Sequence, residues 1–133
     1  MKNLFYTFIA LFMSIASFAQ SSQAKTQSIE KLLDARNGST IFTRILDSNI
    51  DQVAPDKQAE FKQKINAEAA AIRADAIQYF SKKYSQQDID AIYAEFTTEG
   101  RIDFSQKTLS FIREWRNFKG KFQQRFKEIY QSL

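Results

Sequence analysis

Apolar residues recur every three or four positions in the segment 104–133, and this periodicity constrains the fold more than any other feature of the chain. They are Phe104, Thr108, Phe111, Trp115, Phe118, Phe122, Phe126, Ile129 and Leu133. At about 100° per residue, these side chains share roughly a quarter of a helix circumference. The segment is therefore predicted to form a long amphipathic helix whose aromatic strip must be covered by another element.

A second stripe of matching length runs through the segment 55–83. Its members are Phe61, Ile65, Ala69, Ile72, Ala76 and either Tyr79 or Phe80. Pro55 fits the first turn of this helix, because its fixed φ and missing N–H cost nothing there. At 1.5 Å per residue the helix would be roughly 40 Å long, which makes it the expected cover for the C-terminal strip.

Two short helices are predicted ahead of this long one. The first carries Ile29 and ends at Gly38, which is expected to take the left-handed conformation that closes many helices. The second begins at Ser39 or Thr40, since either residue is a favourable N-cap. Both helices are expected to close one side of the long pair.

A further helix is predicted between the two long ones. Ser85 begins it, and Asp88 three residues later completes an approximate capping box. The helix carries Ile89 and Ile92, and Gly100 ends it. Ser85 and Gly100 are thus assigned structural roles.

The expected fold class is all-α, an antiparallel helical bundle of about five helices, two of them long. No segment shows the alternation of apolar and polar residues that is typical of a strand. Residues 27–133 are predicted to form a single domain. The chain has no Cys, so packing rather than disulfides must stabilise it, and nine Phe residues after position 19 can supply the core.

The N-terminal residues are typical of a secretory leader. Lys2 precedes an apolar run, and small residues follow near Ala19. Residues 1–19 are therefore predicted to be a cleaved signal peptide, and residues 20–26 a disordered leader of the mature chain. The expected location is the periplasm or the extracellular space. Without Cys, a lipid-anchored lipoprotein is excluded.

The composition excludes most enzyme classes, because the chain contains neither His nor Cys. Asp88 with Asp90, and Glu95 with Glu99, are the nearest carboxylate pairs for a hydrolase. Asp88 is better explained as a helix cap, and the two glutamates as solvated helix surface. The three glycines are too far apart for a phosphate-binding loop, and no cofactor or metal ion is expected.

Positive charge is concentrated in the segment 101–133, which contains eight cationic and three acidic residues. Four of the cations form a candidate interaction surface: Arg116, Lys119, Arg125 and Lys127. The structural reading of this helix is a core strip of Trp115, Phe118, Phe122 and Phe126 with solvated cations beside it. The alternative is binding to anionic lipid or polymer, whereas the spread of the cations disfavours nucleic acid.

The segment 84–130 resembles the bacterial family catalogued as domain of unknown function 2059. The resemblance lies in Tyr-Ser-Gln-Gln-Asp-Ile-Asp-Ala-Ile-Tyr-Ala-Glu-Phe from Tyr84 and in the long basic and aromatic helix that follows. Thr98-Glu99-Gly100-Arg101 stands where the family has a Thr-Pro-x-Gly-Lys-like break. The resemblance implies a small secreted helical protein, and it implies no activity or site residues.

Three functions remain open from the sequence. The first is a non-enzymatic binding module for an envelope protein or for an apolar ligand held between helices. The second is peripheral association with an anionic membrane or cell-wall polymer through the C-terminal helix. The third and weakest is a carboxylate-dependent hydrolase.

Overall fold

The computed structural model describes residues 22–100 and 103–133, and all regular secondary structure in these residues is helical. Helix α1 covers residues 22–34. It is followed by α2 (Thr40–Asn49), α3 (Gln58–Lys83), α4 (Gln86–Thr97) and α5 (Gln106–Gln131). Short 3-10 turns at Ala35–Asn37, Ile50–Gln52 and Pro55–Lys57 join the first three helices. The predicted all-α bundle with two long helices is confirmed.

The long helices α3 and α5 form the main pair of the bundle, and they run antiparallel. Phe61 near the start of α3 packs its ring against Phe126 near the end of α5, with ring centroids 5.4 Å apart. Phe80 near the end of α3 packs against Phe111 near the start of α5, at 4.9 Å. The two predicted stripes therefore cover each other along most of their length.

The aromatic strip of α5 is buried as predicted, with one partial exception. Trp115 is 2% exposed, Phe122 is fully buried and Phe126 is 8% exposed. Phe118 is only half-buried and lies beside the ring of Tyr79, at a centroid distance of 5.7 Å. The α5 strip is therefore an internal surface of the protein rather than a binding face.

Helix α2 closes the core from the other side of α5. The ring of Phe42 lies edge-on to Trp115 at 6.0 Å and against Phe122 at 4.5 Å. Edge-to-face pairs of this kind stabilise beyond the area they bury. Helix α2 thus holds the middle of α5, while α3 holds its whole length.

Helix α1 corrects one prediction, because residues 22–26 are helical rather than a disordered leader. Lys25 is half-buried, and its Nζ donates a hydrogen bond to the carbonyl oxygen of Ser81 in α3 at 2.5 Å. Ile29 is fully buried. These contacts with the bundle favour the helix over a mobile tail. The predicted signal peptide, residues 1–19, lies outside the described residues.

The turn between α1 and α2 also differs from the prediction. Gly38 has an ordinary helical φ of −58°, whereas Arg36 and Asn37 take the left-handed conformation with φ of 53° and 61°. Asn tolerates this conformation well. The Arg36 guanidinium lies 5.7 Å above the ring of Phe96, which gives the strained residue a compensating contact. Gly38 is required here for another reason, because a Cβ at this position would lie 2.3 Å from the carbonyl oxygen of Leu33 and 3.0 Å from Trp115 Nε1.

The predicted capping box begins α4. The Ser85 hydroxyl accepts from the Asp88 N–H at 3.1 Å, and the Ser85 N–H donates to the Asp88 carboxylate at 3.2 Å. Gly100 takes the left-handed conformation, with φ of 72°, just after the helix ends. The predicted capping box is present, whereas the helix itself ends at Thr97 with Thr98 extended, and Gly100 lies in the turn that follows. Ser39 occupies the N-cap of α2 but makes no capping hydrogen bond, because its hydroxyl accepts from Arg73 instead.

Candidate functional site

The outward face of α5 carries a row of cations, which we call the basic strip: Arg113, Arg116, Lys119 and Lys127. At about 100° per residue they fall within roughly 120° of the helix circumference, beside the buried aromatic strip. From the first to the last they extend about 21 Å along the axis. Arg113, Arg116 and Lys127 are exposed, and Lys119 is half-buried. The strip includes three of the four cations proposed from the sequence.

None of the four side chains has a carboxylate partner within residues 22–100 and 103–133. Other cations of the same helix do have one. Lys107 pairs with Asp88, and Arg125 pairs with Glu68 of α3 at 2.9 Å. Within the described residues, Lys107 and Arg125 of α5 are therefore neutralised, whereas the four cations of the basic strip are left uncompensated.

Arg125 does not belong to this surface, although the sequence placed it there. Its guanidinium donates to Glu68 and to Glu128, and these hydrogen bonds raise its pKa above the ordinary value. Glu68 lies 57 positions away in the chain. A helical wheel of α5 cannot show a partner on another helix. The sequence therefore predicted an unpaired Arg125, whereas Glu68 of α3 pairs with it.

Lys119 is the member of the strip that lies closest to the core. Burial and the neighbouring charge of Arg116 lower its pKa below the ordinary value. Its Nζ lies over the ring of Trp115, 5.7 Å from the centroid, so the end of the side chain covers the indole. This confirms that cations beside the strip cover its aromatic edge. The positive charges of Lys119 and Arg116 also repel each other, and no carboxylate of the described residues neutralises them.

Gly120 lies within the basic strip, on the exposed side of the helix. A Cβ built at this position would meet no other atom within 4 Å. No packing contact of the described residues therefore requires a glycine there, although Gly in a helix interior costs about 1 kcal/mol relative to Ala. The helix backbone is consequently open to the outside between Arg116 and Lys127.

The first carboxylate pair proposed for chemistry serves the start of α4 and its contact with α5. The Asp88 carboxylate accepts hydrogen bonds from Lys107 Nζ and from the Ser85 N–H, and these hold its pKa below the usual range. Asp90 accepts from Gln86 at 2.9 Å. A general acid needs a raised carboxyl pKa. The structure shows the reverse at Asp88.

The second pair, Glu95 and Glu99, is not brought together into one site. The carboxylate of Glu95 accepts from the Ser105 N–H at 2.6 Å, the Ser105 hydroxyl at 2.7 Å and the buried Thr108 hydroxyl at 3.1 Å. It therefore anchors the start of α5, which corrects its assignment as solvated helix surface. Glu99 is exposed.

One polar cluster was not anticipated from the sequence. Lys83 donates to Glu114 and, at 3.3 Å, to the Ser110 hydroxyl, while the Tyr79 hydroxyl donates to Glu114 at 3.0 Å. A Ser–Lys pair is a known catalytic arrangement, but it needs a neutral lysine. Hydrogen bonding to Glu114 raises the pKa of Lys83 instead. The ammonium therefore stays protonated, and the cluster links α3 to α5.

The described surface carries several clefts. One, of about 510 Å³, lies along α2 and is lined by Thr40, Thr43, Arg44, Asp47 and Ser48. A second of about the same volume is lined by Arg36, Asn37, Thr97, Thr98 and Glu99. Another, of about 250 Å³, lies near the end of α5 beside Val53 and Tyr130. Within residues 22–100 and 103–133, no group of acidic side chains is placed to hold a metal ion. No helix in that part of the chain combines the length and apolarity needed to cross a membrane.

Comparison with known proteins gives no match from which a role of the basic strip could be inferred. No protein-family model matches the chain, and no curated protein or solved structure shows significant similarity to it.

Proposed function

We propose that this chain is a non-enzymatic binding domain that uses the basic strip to dock an anionic partner. The observation that carries the proposal is the row of unpaired cations on one face of α5. Arg113, Arg116 and Lys127 are exposed, and within the described residues no carboxylate reaches them. Clustered like charges raise the local potential, so an approaching anion is attracted and held there.

The engagement of the other polar groups supports a binding role over a catalytic one. Asp88 and Glu95 are occupied at the starts of helices, and Glu114 keeps Lys83 protonated. The candidate acids and bases thus serve to position helices. The cations of the basic strip form no ion pair of this kind within the described residues.

Filling of the core argues against an apolar ligand between the helices. Phe61, Phe80 and Phe111 are fully buried and in ring contact with neighbouring aromatic side chains. A ligand could enter only by separating α3 from α5, at the cost of these contacts. A partner on the outside of α5 requires no such rearrangement.

Export from the cytoplasm is part of the proposal. It is supported by the pattern of residues 1–19, an apolar run after Lys2 with small residues before Gln20. An exported protein without Cys must rely on its core alone, which suits the aromatic packing described above. Mass spectrometry of the protein recovered from the native envelope or medium should give a chain that starts near Gln20.

The test is binding of the chain to two anionic probes, vesicles of phosphatidylglycerol and long-chain inorganic polyphosphate, at low salt. The double variant Arg116→Glu/Lys127→Glu should bind both probes at least about tenfold more weakly, since like charges repel and each attractive contact is lost. The matched control is Lys31→Glu/Lys62→Glu, which makes the same change of net charge at exposed positions of α1 and α3.

The control separates a defined surface from a general charge effect. If the two double variants lose affinity equally, the basic strip is not the docking site. If the unchanged chain binds neither probe, the proposed function is wrong. Far-UV circular dichroism of each variant shows whether the helices are retained.

A further inference from the structure

The shape of the basic strip carries information about the partner. Its cations lie along a single helix, and Arg113 and Lys127 are separated by about 21 Å along the axis and by only about 40° around it. Within the described residues the positive charge of α5 is uncompensated along this row and at Lys121, which lies on the other side of the helix near Phe118. The surface is therefore narrow and long rather than broad and flat.

A bilayer surface fits this shape poorly. A helix that binds a membrane interface buries its apolar face among the lipids. The apolar face of α5 is already buried inside the protein, where Trp115 and Phe122 contact Phe42. Leu109, which is 44% exposed, is the large apolar side chain of α5 that remains outside. One leucine offers little for a membrane to bury.

Gly120 gives a chain-like partner a place to lie. It interrupts the side chains of the strip between Arg116 and Lys127, and the space beside its Cα is open. A polymer that follows the helix axis could contact the backbone there while its charges meet the cations before and after it. Glycine at a site of close backbone approach is a common use of this residue.

We propose that the anionic partner is a linear polyanion that follows the axis of α5 and passes over the backbone at Gly120. Its successive anionic groups then lie on Arg113, Arg116, Lys119 and Lys127. This inference rests on the proposed function, because it names the class of partner for the same surface. The planar fork of Arg suits phosphate or carboxylate oxygens. The Lys119 ammonium, whose pKa is lowered by burial and by Arg116, gains a neutralising neighbour on binding.

Salt dependence provides the first test, with the full chain and long-chain inorganic polyphosphate as the probe. Each neutralised phosphate of a single-stranded polyanion contributes about −0.7 to the slope of log affinity against log salt. Four contacts predict a slope of about −2.8, or about a 50-fold loss of affinity from about 50 to about 200 mM salt. Arg116→Gln should make the slope shallower by about 0.7. Tripolyphosphate, which is too short to span the strip, should bind much more weakly.

Gly120→Gln provides the second test, because it adds bulk without changing charge. Its expected signature is a loss of affinity for long-chain polyphosphate with an unchanged salt slope. The matched control is Ala70→Gln, at an exposed position of α3, which should alter neither quantity. A bulky neutral side chain at Gly120 that leaves the affinity intact would overturn the path across this residue.

Vesicles separate this inference from the proposed function. If phosphatidylglycerol vesicles bind through Arg116 and Lys127 while polyphosphate at equal phosphate concentration does not, the partner is a membrane surface. The linear polyanion is then wrong, and the proposed function stands. If neither probe depends on Arg116 and Lys127, both proposals fail together. The expected result is strip-dependent binding of polyphosphate that exceeds binding of vesicles.

Discussion

Gly38 lies against the indole of Trp115: a Cβ built at Gly38 would be 3.0 Å from Trp115 Nε1 and 2.3 Å from the carbonyl oxygen of Leu33. The second distance is shorter than any relaxed contact, and it involves backbone that cannot rotate away. A side chain at residue 38 would therefore collide with the carbonyl oxygen of Leu33 at the end of α1 and would also press on the indole of Trp115. The absence of a side chain at this position lets the turn between α1 and α2 pass close to both.

Gly38→Ala is expected to lower the free energy of unfolding by about 1–3 kcal/mol, the usual cost of overpacking. Chemical denaturation followed by circular dichroism measures it. The matched control is Gly120→Ala, where the new methyl group meets open space in a helix interior. That variant should gain about 0.5–1 kcal/mol from better helix propensity. Equal effects of both substitutions would contradict the close approach at Gly38.

Phe122→Ala should cost about 3–5 kcal/mol, because the ring is fully buried between Phe42 and Phe126 and its removal leaves a cavity. Phe118→Ala should cost less, about 1–2 kcal/mol, since that ring is only half-buried. Melting temperatures of the two variants would rank them. A Phe122 variant as stable as the unchanged chain would mean that the strip is not the core.

Asp34 is expected to make stability depend on pH in the acid range. Burial acts to raise its pKa, but hydrogen bonds from Arg73 and Ser39 and the charge of Arg73 outweigh burial and hold the pKa below its ordinary value of 3.8. A carboxyl with a lowered folded-state pKa stabilises the protein above the unfolded value, and that contribution disappears as the pH falls through the folded value.

Asp34→Asn should therefore be less stable than the unchanged chain at neutral pH, with the difference shrinking as the pH drops below about 4. Unfolding free energies measured across this range test it. Asp47→Asn, at an exposed position of α2, serves as the control. A difference at Asp34 that persists at strongly acid pH would show that its carboxylate charge is not what Arg73 requires.

Glu95→Ala should lower the free energy of unfolding by about 1–3 kcal/mol, because the Ser105 N–H and the buried Thr108 hydroxyl lose a charged acceptor. Amide hydrogen exchange at residues 105–108 should become faster, which locates the effect at the start of α5. Glu99→Ala, four residues further along, should stay within about 0.5 kcal/mol of the unchanged chain. Equal stability of both variants would remove the anchoring role of Glu95.

The features that could be predicted from the sequence are those with local causes. The stripe of α5 is a matter of spacing along one helix, and the Ser85 capping box spans four residues. Each is complete within a short segment, so its physical basis can be read without knowing where other elements lie. The pairing of α3 with α5 followed because only one other stripe had the required length.

The features that could not be predicted depend on distant partners. Glu95 anchors Ser105 from ten positions away, and Arg125 reaches Glu68 from another helix. The role of Gly38 was misassigned because its constraint comes from the close approach of the Leu33 carbonyl and of Trp115 rather than from its own φ. For the candidate site, the sequence had already named α5 and three of the four cations that form the basic strip. Only the three-dimensional contacts separated the neutralised cations from the unneutralised ones.

The position of Trp115 makes it an intrinsic fluorescent probe of the protein. It is the single tryptophan of the chain, and it is almost fully buried. Its fluorescence therefore follows one known environment, bounded by Gly38 on one side and by Lys119 above the ring. A ligand that draws the Lys119 ammonium outward would change the emission without any label. The same optical signal would shift to longer wavelength when the α1–α2 turn separates from α5.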